Sequence, residues 1–457
     1  MPEKVHKCNK TGTAKDRNLL LSEKTTIFVP EKVFECNKMG IEGFINRDGY
    51  LSQLAAGRHN GLIKIITGLR RVGKSFLLFR LFRKMLIESD VADDHIIEVA
   101  FDDVRMESLR NPQRLVSYIE ERMRQGSPGR WYYILLDEVQ LLPRFTDVLN
   151  TLLRLDGADI YVTGSNSRFL SSDIATDFRG RGDVIHLYPL TFAELYNHVG
   201  GDKTSLWRDY YIYGGLPQVY SLSDRKKKEA FLLNLTDSVY MRDIVERHHV
   251  RNRAEMRELA AVMASTAGSP CNPQKIANTF RSAKGIVLER KTVGRYLSHM
   301  EDAFLIEKAL RYDIKGRKYI GSQAKYYFQD MGIRNALLSF RQAEENHIME
   351  NVIYNELRAR GFMVDVGVMP ARHDRQYRQL EVDFVANAGS TRYYIQSVFA
   401  MPDDAKREQE RASLRHIGDS FRRIIIVRDD IASYYDVEGN LIIGLFDFLL
   451  NGNSLGA

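Results

Sequence analysis

One run, Gly68-Leu69-Arg70-Arg71-Val72-Gly73-Lys74-Ser75, constrains this chain more than any other feature. It has the pattern G-x-x-x-x-G-K-S, a turn that wraps a phosphate chain in backbone N–H groups at the start of a helix. Its flanks have the matching character. Leu62, Ile63, Ile65 and Ile66 precede it as a short apolar run suited to a buried parallel strand. Phe76 to Ile87 follows with apolar residues at helical spacing. Strand, glycine turn and helix together predict a nucleoside triphosphate site lined by Gly68, Arg71, Gly73, Lys74, Ser75 and Phe76. Lys74 is expected on the β- and γ-phosphates, and the Ser75 hydroxyl on Mg²⁺.

A second element supports this. Trp131 to Gln140 reads W-Y-Y-I-L-L-D-E-V-Q, an apolar strand ending in two adjacent acids. In P-loop enzymes an Asp at this strand end enters the Mg²⁺ shell. Asp137 takes that place, and Glu138 is then positioned to orient or deprotonate an attacking water, which favours hydrolysis over binding alone. His95 to Asp103 and Asp159 to Asn166 read as two further strands. Four strands alternating with helices predict an α/β fold with a parallel sheet and a ligand at the carboxyl ends of its strands. Ser165 or Asn166, at one such tip, is expected to sense the γ-phosphate.

The remaining composition bounds the partners. A chain of 457 residues has room for two to four domains. A net charge of +7 and a pI near 9.0 favour an anionic partner, most simply DNA. Cys8, Cys36 and Cys271 do not make a disulfide framework. No apolar run is long enough to span a membrane and no signal peptide opens the chain, so the cytoplasm is the expected compartment. P-E-K-V-H-K-C-N-K from Pro2 recurs as P-E-K-V-F-E-C-N-K from Pro30. Residues 1–38 therefore read as a poorly ordered, duplicated extension.

G-L-R-R-V-G-K-S, L-L-D-E-V-Q, V-T-G-S-N-S, R-G-R-G-D-V-I-H-L-Y-P-L-T-F-A-E-L and Y-G-G-L-P-Q-V occur in that order. In this the chain resembles a prokaryotic family of AAA+-type P-loop ATPases. The resemblance implies an ATPase core over 39–189, a helical lid over 190–250, a winged helix-turn-helix over 251–340 and a restriction-endonuclease-like domain over 341–457. It also makes Arg181, eight residues before Pro189, the candidate arginine finger given to a neighbouring subunit, with a structural salt bridge as its rival role. An oligomer, ring or dimer, follows from the first role.

Three helical stretches and a basic hairpin carry the winged-helix expectation. In the third, Glu289 to Met300, the apolar Val293, Leu297 and Met300 leave Lys291, Thr292, Arg295 and His299 facing outward. These would enter a DNA groove, with Lys315, Arg317 and Lys318 of the hairpin on phosphates. In the last domain Asp383 and Gln396 suit a metal-dependent nuclease, but Val398 stands where the lysine belongs. Nuclease activity is therefore not expected. The leading expectation is an oligomeric ATPase that moves on or remodels duplex or branched DNA. The alternative is an ATP-gated switch whose winged helix binds DNA or a protein.

Overall fold

A computed structural model describes residues 45–457 apart from 128, 130, 166–179, 343–344, 374–375, 400–410 and 457, and omits the side chains of 283–284, 322, 347 and 370–378. The expected extension 1–38 and the candidate Asn166 lie outside the described residues.

β1 (Ile63–Thr67), β2 (Ile96–Ala100), β3 (Tyr132–Asp137), β4 (Ala158–Thr163) and β5 (Gly182–His186) form one sheet. Its order is β2-β3-β4-β1-β5, and every pair is parallel. β5 is a strand beyond the four expected. Both faces are covered, which is why β1 and β3 are buried along their whole length rather than alternating. Lys64 interrupts the apolar run of β1, yet its side chain is 0% exposed. Its ammonium pairs with Asp159 of β4, which also accepts from the Tyr161 hydroxyl at 2.9 Å and the His59 N–H at 3.2 Å. A buried cation at mid-strand is tolerable only with such a partner.

The helix after the glycine turn runs through Lys74–Phe76, a π-helical stretch Leu77–Phe82, and Arg83–Glu88. Helices Phe192–Val199 and Lys203–Tyr213 begin the lid, the first closed by a Thr191/Glu194 capping box. The lid ends in one continuous helix, Arg225–Leu235, a π-helical Thr236–Met241, and Arg242–Arg247.

Helices Arg253–Ser265, Pro273–Lys284 and Arg290–Asp302 follow, then the hairpin of β6 (Ile306–Asp313) and β7 (Lys318–Phe328). That hairpin is not a free wing. The second edge of β6 pairs in parallel with β8 (Met363–His373), through Arg311↔Val366 to Asp313↔Val368. β9 (Gln376–Ala388), β10 (Thr391–Val398), β11 (Arg422–Val427), β12 (Tyr434–Tyr435) and β13 (Leu441–Gly444) complete the sheet. The order is β12-β13-β11-β10-β9-β8-β6-β7. The expected boundary between 340 and 341 therefore cuts a single sheet, because backbone groups on β6 that a wing would leave to solvent are paired with β8. Among the described residues no helix is long and apolar enough to cross a membrane.

Candidate functional site

The carboxyl ends of β1, β3 and β4 bring the expected nucleotide groups together. Gly68 turns out of β1 with φ +140°, and a Cβ there would lie 2.2 Å from the Leu187 carbonyl oxygen. Only glycine fits. Gly73 has φ +101° as it opens the helix. Lys74 is buried, and its Nζ donates to the carbonyls of Gly68 at 3.0 Å and Leu69 at 3.1 Å. Burial lowers its pKa to about 8, against the opposing pull of Glu138 and Asp137. Arg71 and Ser75 are exposed on the loop's open side, and Phe76 is half-buried.

Asp137 ends β3. Burial raises its carboxyl to about 6, although hydroxyls of Thr163 and Ser75 hydrogen-bond to it. A buried carboxylate beside a serine hydroxyl is a hard oxygen set of the kind Mg²⁺ takes, and the cost of its burial is relieved by a cation. Glu138 has φ +53°, which turns it off the strand direction. Its N–H donates to Thr163 Oγ1 at 3.0 Å, while the Ser165 hydroxyl (3.1 Å) and the Gln140 amide donate to its carboxylate. Thr163 thus bridges the two acids, and Ser165 touches the second of them.

Three lid residues that sequence reasoning missed, Tyr240, Asp243 and Arg247, tie the lid to this loop. The Tyr240 hydroxyl donates to the Arg70 carbonyl at 2.6 Å. Asp243 pairs with Arg70 at 3.3 Å and with Arg247 at 2.6 Å. Arg247, half-buried, lies near enough to Lys74 and Glu138 to act on both electrostatically. The one local trace of this cluster is the i,i+4 spacing of Asp243 and Arg247 on a helix.

Arg181 is exposed and precedes β5, where its carbonyl accepts from Ile63 N at 2.8 Å. It sits at the amino ends of β1 and β5, the opposite edge from the phosphate loop, with Asn150 Oδ1 3.5 Å from its guanidinium. It does not join the site of its own chain.

Lys291 and Arg295 are exposed and Thr292 is half-buried on helix Arg290–Asp302; Lys315, Arg317 and Lys318 are exposed on the hairpin. His299 departs from the expectation of an outward base-reading residue. Its ring stacks on His248, centroids 3.8 Å apart, and burial with His248 beside it lowers its pKa to about 4. The helical period was sound, but the end of the lid covers that flank of the helix.

In the last sheet Asp383 accepts from Ser397 N at 2.8 Å, and its own N–H donates to Gln396 Oε1 at 3.4 Å. Val398 is buried. The cation nearest this acid is on β7: buried Lys325 pairs with Glu350 at 3.0 Å and Glu381 at 2.9 Å and also feels the Asp383 carboxylate. Burial and then Glu350 raise the Asp383 carboxyl to about 8. Among the described residues these carboxylates do not converge within reach of one ion.

Residues 60–196 match the family described as an AAA domain, and 204–344 match a domain of unknown function, DUF8612. An uncharacterized protein of Haemophilus influenzae is 32% identical over 417 residues, covering 90% of this chain and 99% of its own. Another, from Methanocaldococcus jannaschii, is 27% identical over 380 residues, covering 78% of this chain and 79% of its own. Among solved structures, the Aeropyrum pernix ORC1 protein in complex with DNA aligns at 15% identity over 65% of this chain and 93% of that one, with a TM-score of 0.28. With its phosphate loop and five-stranded parallel sheet inside the matched AAA domain, and its likeness to the Haemophilus protein running through nearly the whole length of both, the chain belongs to that protein's family and carries an AAA domain.

Proposed function

We propose that the protein hydrolyses ATP and acts on DNA as an oligomer, coupling turnover to movement on, or remodelling of, duplex or branched DNA. The observation that carries the hydrolysis is the meeting of Lys74, Asp137 and Glu138 beyond the carboxyl ends of β1 and β3, on either side of β4. Lys74 draws charge from the β- and γ-phosphates as the γ-phosphoryl group departs. Ser75 and Asp137 would hold Mg²⁺, which neutralises phosphate charge. Glu138 orients the attacking water, and Ser165 and Gln140 fix its carboxylate. Arg181 reaches a neighbouring subunit's nucleotide, since its own lies at the far edge of the sheet; Asn166, next after Ser165 in the sequence, senses the γ-phosphate.

DNA contact rests on Lys291, Thr292 and Arg295 of a winged helix-turn-helix, with Lys315, Arg317 and Lys318 on phosphates, and on the basic balance of the chain. The restriction-endonuclease-like region serves as a scaffold without nuclease activity. The second reading is an ATP-gated switch. It is favoured by the grip of Asp243 and Tyr240 on Arg70, which ties the lid directly to the phosphate loop.

Turnover measured with single-stranded, duplex and branched DNA across a salt series separates the two. A motor speeds up on DNA and loses that stimulation steeply with salt; equal rates with and without DNA leave the switch. No turnover with any of them, alongside no ATP binding, refutes both.

A further inference from the structure

The end of the lid carries a second cluster that the nucleotide chemistry does not use. His248 directly follows helix Arg242–Arg247, and His299 and Asp302 lie three residues apart on one face of helix Arg290–Asp302. One ligand atom from each of the three lies within 4.8 Å of the others, and among the described residues this is the one such group of three metal-binding side chains. His248 Nε2 stands 3.7 Å from Asp302 Oδ2. The Nδ1 atom of His299 is buried with no hydrogen-bond partner, a cost that a metal bond would remove.

We propose that His248, His299 and Asp302 bind a single Zn²⁺ ion, with water as the fourth ligand. Two imidazoles and one carboxylate are a donor set for a borderline transition ion rather than for Mg²⁺. Tetrahedral Zn²⁺ with bonds of about 2.0–2.1 Å holds its ligand atoms about 3.3 Å apart, so the cluster must contract from up to 4.8 Å and the two stacked imidazoles must rotate out of their parallel arrangement to aim both lone pairs at the ion. The Asp302 side chain is 40% exposed and gives the ion its entry and its water, while that of His248 is only 10% exposed. Because His248 follows Arg247, which acts on Lys74 and Glu138, the ion would fasten the last turn of the lid to the third helix of the DNA-binding candidate.

The test uses the full-length, tag-free chain, stripped with a chelator and titrated calorimetrically with ZnCl₂ at about pH 7. One ion per chain is expected, with a rise in melting temperature, and Co²⁺ in its place should give the visible absorption of a four-coordinate site. Changes outside the ligand shell already cost about 10–100-fold in affinity, so His248→Ala and His299→Ala should each cost at least about a hundredfold. A Cys8→Ser/Cys36→Ser chain should bind as before, which excludes the amino-terminal cysteines as the source of the signal. Where an alanine variant fails to fold by circular dichroism, Asp302→Asn at the exposed ligand supplies the reading. Absence of stoichiometric binding, or unchanged binding in a folded His299→Ala or Asp302→Asn chain, overturns the proposal.

Discussion

Asp137→Asn should make the nucleotide-free protein more stable at neutral pH while removing its response to Mg²⁺ and ATP. Burial moves the Asp137 carboxyl from its ordinary 3.8 to about 6. Each tenfold change in proton affinity is worth about 1.4 kcal/mol, so keeping the ionised form buried costs roughly 3 kcal/mol. Asparagine keeps an oxygen for the Thr163 hydroxyl and carries no charge. It also gives up the attraction between Asp137 and Lys74, which offsets part of the gain. A net stabilisation of about 1–3 kcal/mol is expected, as for other substitutions that relieve strain in a functional site. The pH dependence has a definite sign. A carboxyl whose folded pKa is raised costs nothing below 3.8, and its penalty grows until pH passes about 6. The gap between variant and wild type should open across that window and stay level above it. Trp131, next to β3, reports on the core once Trp207 is replaced by Phe, so urea unfolding can be followed by fluorescence. Added Mg²⁺ and ATP should then stabilise the wild type by mass action and leave the variant unmoved. A variant less stable than wild type at neutral pH would refute the reading of Asp137 as a carboxylate held ready for a cation.

The other consequences are simpler to state. Glu138→Gln should leave ATP affinity within about threefold and lower turnover at least about a hundredfold, the scale of a lost general base; ATP consumed at the wild-type rate would remove Glu138 from the chemistry. Arg181→Ala should lower turnover without changing affinity, and mixing it with a Lys74→Ala chain should restore part of the activity, since each mixed interface can pair a sound loop with a sound arginine; failure of mixing leaves Arg181 a structural residue. Arg247→Ala should weaken ATP binding and free the lid, seen as faster amide exchange in Thr236–Met241; unchanged exchange and affinity would separate the lid from the nucleotide. Lys325→Met should destabilise the chain by about 3–5 kcal/mol, the cost of breaking a buried ion pair; a stability unchanged in urea would mean that its carboxylate partners manage without it.

What the sequence made legible was local. The glycine turn, the acids at the tip of β3 and the helical lid each rest on neighbours within a few positions, and each takes the form its spacing announces. β5 escaped notice because Gly182–His186 is five residues long and half-buried, with no alternation and no continuous apolar run. The hairpin of β6 and β7 was visible, but its parallel pairing with β8 was not, since a partner some fifty positions away leaves no mark on either strand. Lys64, Lys325 and His299 share one cause. Each is a polar or charged side chain turned inward by an acid or a ring from a distant segment, a partner that local spacing does not show, and of the three only His299 had been expected to face outward.

The Tyr213-Gly214-Gly215-Leu216-Pro217 turn shows how a legible element can hide its reason. Its composition announces a turn, and any loop of that length would satisfy the chain there. The structure demands more of it. A Cβ on Gly214 would stand 2.4 Å from the Asp330 carboxylate oxygens, and one on Gly215 would stand 2.4 Å from the Leu190 carbonyl. Asp330, far along the chain, accepts from the N–H of Gly215 at 2.7 Å and of Ile333 at 3.0 Å. Its burial pushes the carboxyl up to about 6, so these donors are what make an ionised acid tolerable there at neutral pH. Gly214 is thus required by the approach of the Asp330 carboxylate and Gly215 by that of the Leu190 backbone, and through Asp330 the lid is bonded to the segment that leaves β7. A side chain at Gly214 would press on that contact while leaving the turn itself intact, which is why neither turn propensity nor periodicity reveals what the pair is for.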